Sequence, residues 1–213
     1  MNSRKLVVGL VAIVALALGV STATAAKQKP KNGNFEAGNL SRWHVTDLES
    51  DPEDTWYVYS GSSTPLNDFD FSSPPQGEFA AVTDQGGAGT HILHRTRKLR
   101  EGYRHKLSMW VYYSSQADID SPNTLDSTGQ DNQQYRIDVL KRGAPIDSVA
   151  AGDVLVEVFG TKTGDPATMA PAKVSANLTR FAGRRVTLRF AEVDNLFYFN
   201  AGVDAVRLKS KPK

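Results

Sequence analysis

The sequence predicts an all-β fold, an antiparallel β-sandwich or jelly roll. Three observations carry this. Short runs of alternating apolar and polar residues recur, as in Leu107-Ser108-Met109-Trp110-Val111 and Gln134-Tyr135-Arg136-Ile137-Asp138-Val139, and a period of two marks a strand with one buried face. Clusters of Gly, Pro, Asn, Asp and Ser punctuate the runs, supplying the backbone angles that turns need. About ten such strands succeed one another with no convincing helical period between them, the pattern of a sandwich rather than of a parallel α/β sheet.

The first 25 residues are read as a signal peptide. Arg4 and Lys5 form a basic start, residues 6–20 are an apolar run, and Ala23-Thr24-Ala25 offers small residues for cleavage. The apolar run is too short for the ~20 residues that span a bilayer core, so a secreted or periplasmic protein is expected, with no membrane association after cleavage. Residues 26–31 form a polar linker, 32–208 the folded domain, and 209–213 a basic tail. The 213 residues contain no Cys, so an exported domain must hold together through its core alone. The chain carries 25 Lys+Arg and 23 Asp+Glu. Removing Arg4 and Lys5, and no acid, leaves 23 against 23, and this neutral balance argues against nucleic acid as a partner.

Within the domain, Asn32-Gly33-Asn34-Phe35-Glu36-Ala37-Gly38-Asn39 supplies two turns around Phe35, the first core residue. Strands follow: one carrying Trp43 and Val45, then residues 55–59 (dense in β-formers), 78–83, 91–99, 106–113, 134–140, 154–159, 173–178, 185–192 and 203–208. Residues 61–77 and 114–133 read as long loops, and loops of that size tend to carry function.

Asn32-Gly33-Asn34-Phe35-Glu36-Ala37-Gly38-Asn39-Leu40-Ser41-Arg42-Trp43 resembles the opening strand of galactose-binding-like jelly rolls, a superfamily that includes carbohydrate-binding modules of secreted glycanases. Residues 178–190, with Ala182-Gly183 feeding a strand that closes on Arg189-Phe190, are similar to the late strand pair of those domains. Val203-Asp204-Ala205-Val206-Arg207-Leu208 resembles their last strand. Pro74-Pro75-Gln76-Gly77 and residues 195–202 resemble an uncharacterised group of secreted bacterial proteins. The resemblance implies a structural calcium ion where the first and last strands meet, with Glu36 and Asp204 as the matching carboxylates. Asn34, and an acidic-loop residue such as Asp51, would complete the 6–8 oxygens that calcium takes.

The resemblance also implies a carbohydrate partner. Sugars stack on flat aromatic faces and are oriented by polar side chains. Alternation places Trp110 and Tyr112 opposite the core set of their strand, and Arg136 and Asp138 opposite that of the next, so these four are the expected ligand-binding surface. His91 and His94 are three apart on a strand and point to opposite faces, which rules them out as a pair gripping one metal ion. Asp118, Asp120, Asn123 and Asp126 lack the spacing and glycine of a calcium loop. The sequence contains no nucleophile elbow, zinc motif or phosphate loop. Glu78, Glu157, Glu192 and Asp194 sit on or beside strands, but scattered carboxylates do not define a glycosidase pair. The expectation is therefore a secreted, non-catalytic binding domain, carbohydrate being the favoured ligand. A structural or adhesive protein making protein contacts is the alternative, ahead of a polysaccharide hydrolase or lyase.

Overall fold

A computed structural model describes residues 32–213. The expected signal peptide and linker lie outside the described residues. Ten strands form two five-stranded antiparallel sheets. In chain order they are β1 (His44–Leu48), β2 (Thr55–Tyr59), β3 (Ala80–Asp84), β4 (Gly89–Lys98), β5 (Tyr103–Ser115), β6 (Gln133–Lys141), β7 (Val154–Gly160), β8 (Thr168–Asn177), β9 (Arg185–Asp194) and β10 (Phe199–Pro212). One sheet runs β1-β4-β9-β6-β7 and the other β2-β3-β10-β5-β8. The helical content of the described residues is one 3-10 turn, Thr179–Phe181, and no helix among them is long and apolar enough to cross a membrane.

The core lies between the sheets and follows from the alternation. Leu107, Met109, Val111 and Tyr113 of β5 meet Tyr135, Ile137 and Val139 of β6 and Val186, Leu188 and Phe190 of β9 in one buried cluster. Phe35 is fully buried at a positive φ of 55° and stacks on Trp43 at 5.7 Å. Trp43 in turn meets Phe190 edge-on at 5.6 Å.

Each outer face is partly covered, and the long connections do the covering. Phe71 from the segment after β2 packs on Tyr59, Ala80, Val82 and Tyr112 outside the second sheet. Leu125, Ile146 and Val149 pack on Ile92, Ala191 and Val193 outside the first. Two elements differ from the sequence reading. β8 begins at Thr168, ahead of the strand expected over residues 173–178. The tail residues Lys209 to Pro212 are the end of β10, paired with Lys106 to Tyr103 of β5. Charged and apolar residues in that last strand give no clean alternation. Pairing is set there by the backbone of β5, resumed after a register shift between Asp204 and Arg207.

Candidate functional site

The four residues expected to form one ligand surface do not share one. Trp110 and Tyr112 lie on β5 in the second sheet, Arg136 and Asp138 on β6 in the first. Their strands turn their core residues toward each other, so the outward sides face opposite ways. Tyr112 is fully buried beneath Phe71, and its hydroxyl meets that of Tyr59 at 2.7 Å. Burial pushes the Tyr112 hydroxyl far above its ordinary pKa, and no ligand reaches it. Asp138 is fully buried too. It accepts hydrogen bonds from Arg136 Nε at 2.8 Å and Nη2 at 3.0 Å, and from Arg189 Nε at 3.2 Å. Arg189 is completed by the carbonyls of Ile146 and Ser148 at 2.7 and 2.8 Å. This is an ion cluster that ties the 142–153 segment to the first sheet. Alternation located the outward positions correctly, but it carried no information about which sheet each strand joins or what covers it.

Trp110 keeps an outward, half-buried indole. It pairs across the sheet with Lys173 of β8 and Asp204 of β10, and Lys173 Nζ lies 4.6 Å from the ring centroid. Around it is a groove of about 320 Å³ whose walls include Gln76, Lys106, Ser108, Ser175 and Arg207. Arg207 donates a hydrogen bond to Gln76 Oε1, fixing that wall. Arg207 and Lys209 also border a larger cleft of about 750 Å³ that enters between the sheets, floored by Trp43 and lined by Arg95, Arg97, Arg100 and Arg185. A third depression of about 520 Å³ adds Arg104 and Lys211. Among the described residues, no Asp or Glu lines any of the three.

The charges in the cleft feel one another. Arg95 is pushed down to about 10 by burial, then by Arg97 and Arg42. Arg97 is lowered by burial and by Arg42. Arg95 also lies 5.4 Å from the Trp43 ring centroid, a cation–π contact. Cations are thus gathered at one end of the sandwich, while Asp47, Asp51, Glu53, Asp54 and Asp84 occupy the β1–β2 connection and adjacent strand ends. Such segregation gives a local potential that net charge does not report. Composition therefore missed this surface. The signal was present as Arg95-Thr96-Arg97-Lys98-Leu99-Arg100 and Arg207-Leu208-Lys209-Ser210-Lys211, but only the packing of the two sheets makes it one surface.

The implied calcium position adjoins the groove. Glu36 accepts the amides of Glu78 and Phe79, each at 3.2 Å. Asp204 accepts those of Gln76 at 2.9 Å and of Ala205. Gly77 has φ +77°, and a Cβ there would collide with Glu36 Oε1, so glycine is what lets the carboxylate approach this loop. Burial raises Asp204 to about 7, and the charge of Glu36 adds to the rise. Two neighbouring carboxylates, each with lone pairs left over from its amide donors and one of them disfavoured in its ionised form, are chemically suited to a hard cation. The pair supplies two carboxylates of the 6–8 oxygens that calcium takes. Asn34 lines the basic cleft, and Asp51 lies in the acidic β1–β2 connection. His91 and His94 are on opposite faces, as the alternation requires: His91 is fully buried between the sheets, and His94 stacks on His44 at 5.4 Å outside.

No protein-family model matches the sequence, and no curated protein does. Solved structures do match in fold. TmCBM61, solved in complex with β-1,4-galactotriose, superposes with a TM-score of 0.52 at 14% identity, covering 85% of this chain and 97% of that one. The K3 cleaved adhesin domain of Lys-gingipain from Porphyromonas gingivalis W83 gives 0.52 at 16% identity, covering 83% and 97%. The chain therefore has the all-β sandwich fold of these domains.

Proposed function

We propose that the protein is a secreted binding domain that recognises an acidic polysaccharide on the outer face of β10, β5 and β8. The single observation carrying this is the acid-free, cation-rich surface with an outward indole in it. Trp110 offers an apolar face on which a pyranose ring stacks. Lys106, Lys173, Arg207 and Lys209 offer charge-assisted hydrogen bonds to carboxylate or sulfate groups along the chain. Ser108 and Ser175, opposite each other across β5 and β8, supply hydroxyls for sugar oxygens. The fold match to TmCBM61 supports a carbohydrate ligand, and the basic residues select its acidic members. Export follows from the expected signal peptide. A calcium ion held by Glu36 and Asp204 would pin the 76–79 loop, one wall of the groove, and take no part in chemistry.

The test is retention of the purified chain on immobilised polysaccharides. The panel holds a polyuronate, a sulfated glycan, neutral β-1,4-galactan and, as a control for charge alone, single-stranded DNA. Retention on an acidic glycan, reduced about tenfold by Trp110→Ala, is the expected result. Equal retention on DNA, or retention indifferent to Trp110, contradicts the reading.

A further inference from the structure

At the end of the sandwich away from the basic cleft, three inward side chains converge in the core. His91 on β4 lies opposite Glu192 on β9, and Asp194 follows two residues on, so all three point between the sheets. They are 0, 0 and 3% exposed, and one ligand atom from each lies within 4.8 Å of the others. His91 Nε2, both Glu192 carboxylate oxygens and Asp194 Oδ1 have no hydrogen-bond partner. Buried polar atoms are nearly always paired, and ionised ones more strictly still.

From this geometry we propose that His91, Glu192 and Asp194 bind a divalent first-row transition-metal ion. One imidazole and two carboxylates form a nitrogen–oxygen set suited to such ions, and two carboxylates balance the charge of one. Bonds of about 2.1 Å place ligand atoms within roughly 4.2 Å of each other, so closing from 4.8 Å is a small rotation of side chains. His91 is already oriented for the task. Its Nδ1 lies 3.1 Å from Asp47 Oδ1, which holds the proton there and leaves the Nε2 lone pair facing the carboxylates, the support that metal-bound imidazoles receive. Nε2 is 3.9 Å from Asp194 Oδ1. Gly89 leaves room for this ring, since a Cβ there would sit 2.8 Å from His91 Nε2.

The surroundings agree. Asp47 and Asp54 add negative charge close to Glu192 and Asp194. Access exists as well. Asp194 lines a cleft of about 190 Å³ between Gly86-Gly87-Ala88 and Asn195 to Tyr198, and the exposed Phe197 and Leu196 belong to its wall. The site is separate from Glu36 and Asp204, and it carries the nitrogen ligand that they lack.

The experiment uses the full chain without an affinity tag and with His94→Ala in the background, which removes the outer His44–His94 pair as a competing zinc ligand. After chelator treatment, zinc is titrated calorimetrically with calcium in millimolar excess, so that a calcium site cannot report. The expected result is one zinc per chain, bound at least about 100-fold more weakly in Glu192→Gln and Asp194→Asn. Zinc should raise the melting temperature of the parent and leave both variants unmoved. Neither amide should melt below the metal-free parent, because each replaces a buried carboxyl with unpartnered oxygen by a neutral group of the same shape. No stoichiometric zinc in the parent, or undiminished binding in a folded variant, overturns the proposal. If one variant does not fold, binding by the other decides between these outcomes.

Discussion

Replacing Asp138 by alanine separates a structural ion cluster from a ligand site. The carboxylate is fully buried and takes two hydrogen bonds from Arg136 and two from Arg189. Without it, Arg189, whose side chain has no solvent exposure, keeps the carbonyls of Ile146 and Ser148. Arg136 keeps only the half-exposed Glu157 at 3.2 Å. Removing one partner of a buried ion pair costs about 3–5 kcal/mol. The surviving carbonyl bonds place Asp138→Ala near the lower end, about 3 kcal/mol. With a urea slope of about 2 kcal/mol per molar, the unfolding midpoint should drop by roughly 1.5 M. The melting temperature should fall by roughly 6–12 °C, at about 2–4 °C per kcal/mol for a domain of this size. Retention on acidic glycan, measured on the folded fraction, should be unchanged. A loss below about 1 kcal/mol, or lost retention with unaltered stability, would refute this assignment.

Three other outcomes follow from named contacts. Tyr112→Phe removes the hydroxyl pair with Tyr59 and should cost about 1 kcal/mol in a denaturant titration, leaving glycan retention at the parent level. Calcium chelation should lower the melting temperature, and Asp204→Ala should abolish that sensitivity; a melting curve indifferent to chelator would rule out the ion. Lys173→Glu places a carboxylate against Trp110 in the groove and should weaken binding to acidic glycan at least tenfold, with little effect on the melting temperature because Lys173 is exposed.

The fold was legible in the sequence because burial repeats locally. Leu107, Met109 and Val111 announce their inward face by spacing alone, and the same holds for Tyr135, Ile137 and Val139. Glu36, in the turn before β1, and Asp204, on β10, both lie in the opening and closing motifs that the resemblance covers. The sites were less legible because they depend on pairing across long separations. Trp110 could be seen to face outward, yet Lys173, which stacks on it, is 63 positions away and reaches it only through the β5–β8 register. Arg136 and Asp138 also point outward, but Ile146 and Val149 cover that face of their sheet, and no local pattern encodes a lid. His91 was rightly separated from His94 by strand geometry. Its partners Glu192 and Asp194 sit across a strand register that no local pattern reveals.

The central claim is that β10, β5 and β8 present a charge-selective sugar surface. The direct measurement is the affinity of the parent and of a Lys106→Glu/Lys173→Glu variant for a soluble polyuronate. It is made at about 0.1 M and about 1 M salt, where charges are screened beyond about 10 Å and about 3 Å. A charge-selective surface predicts at least tenfold weaker binding by the parent at high salt, weaker binding by the variant at low salt, and convergence of the two at high salt. Affinity independent of salt, or a variant that binds as the parent does, would contradict it.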